Sequence, residues 1–195
     1  VYLDAVFFPS IHEKPEIFRQ EGWHYELRGG VLTRSGVVLN EMKGAFADAD
    51  ELLVNAMSRA LFPDSPYRFV SGGDPEAIPG LTYEAFTAAH KRFYHPSNSY
   101  LLLDGSIDQD ESFALLDEYL SQFTAIDPAT QIAVQQPVCA PRTTVSYPLP
   151  AGEDALRRWK LGRGHVIGTY RDAQTLFAAQ VLSDVLCGRN HAPLC

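Results

Sequence analysis

The stretch from Glu21 to Gly44, EGWHYELRGGVLTRSGVVLNEMKG, decides how the chain is read. Trp23, Tyr25 and Leu27 alternate with His24, Glu26 and Arg28. That period of two marks a strand with one apolar face. Gly29-Gly30 then turns the chain, because two glycines accept the positive φ values a tight hairpin needs. Residues 31–34 are expected to pair back on the first strand. From Gly36 the period changes: Val37, Val38 and Glu41 fall on one face by the three-to-four-residue spacing of a helix.

Working outward, residues 1–8 read as the end of a helix stopped by Pro9, and residues 14–21 as a short helix closed by Gly22. The helical pattern begun at Gly36 runs on to Phe62, with a break at Gly44 and the acidic run 47–51. Leu52, Leu53, Ala56, Met57, Ala60 and Leu61 form its apolar stripe, and Pro63 ends it. Residues 63–81, rich in proline and glycine, read as a long ordered loop. Thr82 is an N-cap for a helix with Tyr83, Phe86, His90 and Phe93 on one side, terminated by His95-Pro96-Ser97-Asn98. Tyr100–Leu103 reads as a short buried strand. Asp108 and Glu111 resemble a capping box ahead of a helix carrying Phe113, Leu116, Leu120 and Phe123. Residues 124–142 lose periodicity and read as a linker. Thr143–Tyr147 and Arg157–Tyr170 read as strands. Residues 172–187 read as a helix with Phe177, Val181 and Val185 in register and Gly188 as its cap. The order fits an α+β or an α/β layered fold and does not by itself decide between them.

The 195 residues, 46% of them hydrophobic, suffice for one large domain or two small ones. No apolar run approaches the roughly 20 residues of a membrane span, and no signal peptide is visible. The chain starts at Val1 without an initiator Met, in a segment that reads as the middle of something, so a fragment of a longer protein is expected. The net charge of −8 argues against nucleic acid, which is bound chiefly by Lys and Arg. It is compatible with a basic or peptidic substrate. Cys139, Cys187 and Cys195 form no CxxC, which argues against a disulfide framework or a structural zinc site. A reducing compartment is the simplest reading, cytoplasmic by default.

Glu41 poses the chemical question. A carboxylate buried unpaired beside Val37 and Val38 would cost several kcal/mol, so it must be paired, exposed or metal-bound. By spacing alone the plain reading is a solvated helix face with Lys43 and Asp48 nearby. His90 and His95 stand five apart, off the i,i+4 spacing of zinc helices; His90 reads as a packing residue and His95 as a loop residue. Ser71-Gly72-Gly73-Asp74-Pro75 reads as a turn, since no Gly-Lys-Ser/Thr follows. Gly162–Gly168 has the wrong spacing for a dinucleotide fingerprint. There is no Gly-x-Ser-x-Gly elbow, and Cys187 reads as core. Neither His-Glu-x-x-His nor His-x-x-Glu-His occurs. Residue by residue, no self-contained active site emerges.

The order of segments adds to this. YLDAVFFP (2–9), EGWHYEL (21–27), GVVLNEMKG (36–44), ALFPDSPY (60–67), SGGDPEAIPGLTYEAF (71–86) and HKRFYHPSN (90–98) resemble, in that order, the presequence-protease branch (subfamily C) of the pitrilysin/insulinase (M16) zinc metallopeptidases. EYLSQF (118–123), TTVSYPLP and the final helix match more loosely. The resemblance implies an α+β, LuxS/MPP-like metallohydrolase fold, mostly antiparallel sheet flanked by helices. It divides the chain into the later part of a first catalytic-type domain (1–125), a linker (126–142) and the start of a second such domain (143–195).

In that family, two histidines of an inverted His-x-x-Glu-His motif and a downstream glutamate hold zinc, and the motif glutamate activates water. The matching downstream position is Glu41. Asn40 and Lys43 would orient its carboxylate. The catalytic base would precede Val1, so no catalytic residue lies in this chain and the Zn²⁺ site is incomplete. A further glutamate that other branches carry seven residues earlier corresponds here to Arg34, and that role is not carried over. The resemblance implies a metalloendopeptidase that degrades short unstructured peptides bound as an added strand. Its partners would be peptide substrates and the remaining halves of the parent chain. The alternative is a non-catalytic peptide-binding or assembly module of the same fold.

Overall fold

A computed structural model describes residues 2–139, 142–188 and 192–193. The described residues are mixed: seven α-helices and one two-stranded antiparallel sheet. The coarse α+β class therefore holds.

The opening stretch folds as its pattern dictates. Strands β1 (His24–Arg28) and β2 (Val31–Ser35) pair antiparallel from His24↔Ser35 to Arg28↔Val31. Gly29 and Gly30, with φ of 54° and 82°, close the hairpin in the doubly positive geometry that matches the strand twist. Helix α1 (Tyr2–Phe7) stops before Pro9, and α2 (Pro15–Glu21) carries its proline in the first turn, where no backbone donor is lost. The long helical pattern splits into α3 (Val37–Ala45) and α4 (Ala49–Leu61). Asp48 makes the break: its carboxylate accepts from the backbone N–H of Asp50 and Glu51 and starts a new helix. Thr82 and Asp108 likewise cap α5 (Tyr83–Phe93) and α6 (Gln109–Leu120). Asp172 caps α7 (Ala173–Cys187), which Gly188 follows.

The core lies under α3. Leu39 is fully buried and packs with Met42 and Ile78, flanked by Trp23, Val38, Phe46 and Val70. Ile78 and Val70 come from the loop 63–81, which is ordered as expected. Arg59 of α4 pairs with Asp74 at 2.9 Å, and Trp23 Nε1–H donates to the Leu81 carbonyl at 3.2 Å. Aromatic contacts join the rest. Phe18 of α2 meets Phe86 of α5, and Phe7 and Phe8 meet Phe123 beyond α6.

Several expected strands do not form. Tyr100–Leu103 has no strand partner, and Tyr100 and Leu102 are almost wholly exposed. Thr143–Tyr147 and Arg157–Tyr170 are also without strand; Ala155–Arg157 is a short 3₁₀ turn. The physical reason is common to all three: a strand is completed by a hydrogen-bonding neighbour, and none lies beside these segments among the described residues. The apolar face of β1 is real but uncovered, with Tyr25 and Leu27 exposed and only Trp23 half-buried. Cys187, expected in the core, is exposed, as is Cys139; Cys195 lies outside the described residues.

Two segments without helix or strand are nonetheless fixed. Residues 126–130, within the expected linker, sit on the corner formed by α5 and the 3₁₀ turn Pro96–Asn98. Arg92 donates to the carbonyls of Pro128 and Ala129, Ser97 Oγ accepts from the Ile126 N–H, and Thr130 Oγ1 bonds Asn98. Ala129 is held there at φ 53°, a left-handed conformation that disfavours any residue with a Cβ. Further on, residues 160–164 run as a strap along α4. Lys160 Nζ meets Asp50 at 2.6 Å. Gly162 and Gly164 lie against Leu53, Met57 and Leu61; an added Cβ would come within 2.5 Å of Met57 Sδ and 2.7 Å of Leu61 Cδ1 respectively.

Candidate metal-ligand site

Helix α3 presents two unlike sides. Leu39 and Met42 face the core, while Glu41 and Val37 face outward and are exposed. The expected common face of Val37, Val38 and Glu41 is therefore the outer flank, with Val38 half-buried at its margin. Glu41 makes no hydrogen bond or ion pair among the described residues, so both carboxylate oxygens keep their lone pairs. Gly44, three residues on, has nothing within 4 Å of where its Cβ would be.

The helix under Glu41 is firmly placed. Its inner side is pinned by Leu39. Asn40 Nδ2 donates to Ser35 Oγ at 3.3 Å, and Lys43 Nζ donates to the Arg34 carbonyl at 3.2 Å. Asn40 and Lys43 thus brace α3 against the end of β2, and their bonds go to the strand instead of to the Glu41 carboxylate. Arg34, at the position seven before Glu41, lies over the Tyr25 ring at 6.0 Å.

As a metal site the arrangement is partial. A free, exposed carboxylate on a rigid helix suits one oxygen ligand of zinc. No group of three His, Cys, Asp or Glu side chains that could hold a metal ion occurs among the described residues. Two surface depressions, of about 380 and 330 Å³, are lined by residues that include Leu101, Asp104 and Phe113 and by residues that include Val6, Phe93 and Ser99, and Glu41 lines neither. His95 caps the turn at Pro96–Asn98 through Nδ1, consistent with a loop role. Ser71–Pro75 is a turn in which Asp74 accepts from the N–H of Glu76 and pairs with Arg59.

One pairing escapes the sequence reading. His12 Nε2 and His90 Nδ1 are 3.0 Å apart, and His90 Nε2 is 2.9 Å from the Val6 carbonyl. Tyr94 stacks on His90, with ring centroids 4.8 Å apart. His90 is a packing residue, as expected, but with a titratable partner 78 positions away.

Comparison with known proteins places the chain. A family model described as the peptidase M16 inactive domain matches residues 80–195. The chain belongs to the peptidase M16 family. Within M16 it lies in the presequence-protease-like branch. It is 39% identical over its whole length to Protein HypA of Clostridium perfringens and 36% identical to presequence protease 1, chloroplastic/mitochondrial, of Arabidopsis thaliana. It is 34% identical, over 99% of its length, to the mitochondrial presequence protease of Danio rerio. The chain spans about a fifth of the length of these curated relatives (20%, 18% and 20%). The matched M16 model begins at Gly80, upstream of the expected linker. Among the described residues, no helix is long and apolar enough to cross a membrane.

Proposed function

We propose that this chain is part of a zinc-dependent metalloendopeptidase acting on short unstructured peptides, and that Glu41 is one of the zinc's protein ligands. The observation that carries the reading is Glu41 itself, exposed and unpartnered on a helix anchored by the fully buried Leu39. A carboxylate with no structural partner on so fixed a support is available to a metal. When bound, zinc would polarise water for peptide hydrolysis. The part of this chain is to hold an anionic oxygen in place: Leu39 and Met42 set the depth of α3, and Asn40 and Lys43 set its rotation against β2. The two histidine ligands and the general base then come from an inverted His-x-x-Glu-His motif elsewhere in the parent chain.

The finer architecture goes with this reading: a LuxS/MPP-like fold divided at residues 125 and 143. The exposed apolar faces of the hairpin, of Tyr100–Leu103 and of α7 are then surfaces for the rest of the parent chain, and the reducing compartment is the cytoplasm or an organelle matrix. The test is zinc content and peptide cleavage by the parent protein with Glu41→Ala and Glu41→Gln. Both variants should lose stoichiometric zinc and cleavage while keeping the fold. Zinc and activity retained in Glu41→Ala would end the assignment. The 195-residue chain alone should hold no zinc tightly, because one carboxylate is not a site.

A second reading rests on the match of residues 80–195 to an inactive M16 domain. On this reading those residues serve as a non-catalytic wall that binds peptide or mediates assembly. Peptide affinity that survives loss of zinc and depends on residues 80–195 would support it.

A further inference from the structure

The His12–His90 pair has a defined proton arrangement. The Val6 carbonyl can only accept, so His90 Nε2 carries a hydrogen. In the neutral ring Nδ1 is then a lone pair, and His12 Nε2–H must donate to it. The result is a relay: His12 donates to His90, and His90 donates to the last turn of α1. It ties the segment 2–12 to α5, beside the corner that seats residues 126–130.

This relay takes one proton without breaking. A proton added at the outer Nδ1 of His12 leaves the donation intact, and a proton added at His90 Nδ1 is accepted by His12 after a change of tautomer. A second proton places N–H against N–H and two positive charges on rings whose centroids are 4.9 Å apart. Among the described residues, no carboxylate bonds to either ring. From α5 the pair meets Lys91, a further cation, and Tyr94 at the helix end stacks on His90; from α1 His90 meets the Val6 carbonyl.

We propose that His12 and His90 form a proton-operated latch that accepts one proton and opens on the second, releasing residues 2–12 from α5. Burial first, then the charges of His90 and Lys91, hold His12 below its ordinary value, in keeping with this. In the unfolded chain His12 takes up its proton near about pH 6.5, whereas in the folded chain it does so only at lower pH. The latch therefore contributes stability above about pH 6.5, and that contribution is lost as pH falls below it.

The experiment is hydrogen–deuterium exchange of the protein at pH 5.0 to 8.0, corrected for intrinsic rates, read on peptides covering residues 2–13 and 83–94. Exchange in residues 2–13 should rise about 3- to 10-fold between pH 7.5 and 5.0, the scale of a broken hydrogen bond that opens a local unit. In His12→Gln that rise should vanish, because glutamine donates to neutral His90 and accepts from charged His90. A pH-independent wild type, or a His12→Gln with the wild-type slope, overturns the proposal. Should His12→Gln fail to fold, ¹⁵N ring shifts of the wild type decide it. Two coupled titrations with His90 as the Nε2–H tautomer support the latch, and two independent ordinary titrations refute it.

Discussion

Replacing Gly36 by alanine tests the account of how α3 is placed. Gly36 is buried at the junction of β2 and α3, five residues before Glu41. A Cβ there would stand 2.1 Å from the Gly22 carbonyl oxygen, 2.7 Å from its carbon and 2.8 Å from the Trp23 Cα. Ordinary contact begins near 3.4 Å, so the closest approach is short by more than an ångström. All three obstacles are backbone, and no rotamer change relieves them. The turn between α2 and β1 must part from the end of β2, beside the first hairpin pair His24↔Ser35. Overpacking of this kind costs about 1–3 kcal/mol, and the rigid neighbours put this case at the upper end. With a typical urea slope, the midpoint should fall by roughly 1 M. Gly44→Ala is the matched control. It makes the same chemical change inside α3 with nothing within 4 Å, so the gain in helix propensity, about 0.5–1 kcal/mol, should raise the midpoint. A Gly36→Ala variant as stable as wild type, or a Gly44→Ala variant less stable, would refute the reasoning.

Three other outcomes follow from the packing and the caps. Leu39→Ala should cost about 2–5 kcal/mol in urea unfolding, whereas Leu102→Ala, at an exposed position, should stay within about 0.5 kcal/mol; equal effects would mean that α3 is not anchored through Leu39. Arg92→Ala should make residues 126–130 cleavable by thermolysin about 3- to 10-fold faster under native conditions, and an unchanged rate would show that Arg92 does not hold them. Asp48 and Asp172 have carboxyls held below the ordinary range, Asp48 by the backbone N–H groups of Glu51 and Asp50 and Asp172 by the Thr175 hydroxyl and N–H. Their capping contribution is present above about pH 4 and is lost as pH falls through their lower folded values. The double variant Asp48→Asn/Asp172→Asn should flatten the acid limb of the helical circular dichroism signal, and an identical limb would count against the caps.

What the sequence discloses depends on how far apart the causes lie. Gly29-Gly30, Asp48, Thr82, Asp108 and Gly22 act on their immediate neighbours, so hairpin and helix ends are readable from short stretches. Tyr100–Leu103 has a strand's composition, but a strand is completed by a partner, and composition does not name one. The outward direction of Glu41 is hidden for a similar reason: Val37, Val38 and Leu39 are all apolar, and only the packing of Ile78 and Met42 against Leu39 settles which of them face in. The order of the six segments points to Glu41 more sharply than its own spacing does. The bond between His12 and His90 joins residues from two ends of a long stretch of chain, and no local periodicity carries it.

The strap on α4 has a mechanical consequence. Lys160, Gly162 and Gly164 face the helix, while Leu161 and Arg163 point away and Leu161 is largely exposed. Inserting or deleting one residue between 160 and 164 exchanges the two sets and drives branched or charged side chains against Leu53, Met57 and Leu61, which would have to move aside. A change of two residues restores the phase. The length of this segment is therefore constrained: a step of one residue reverses which side chains meet α4, and a step of two keeps the phase only where the residues that face the helix are glycine.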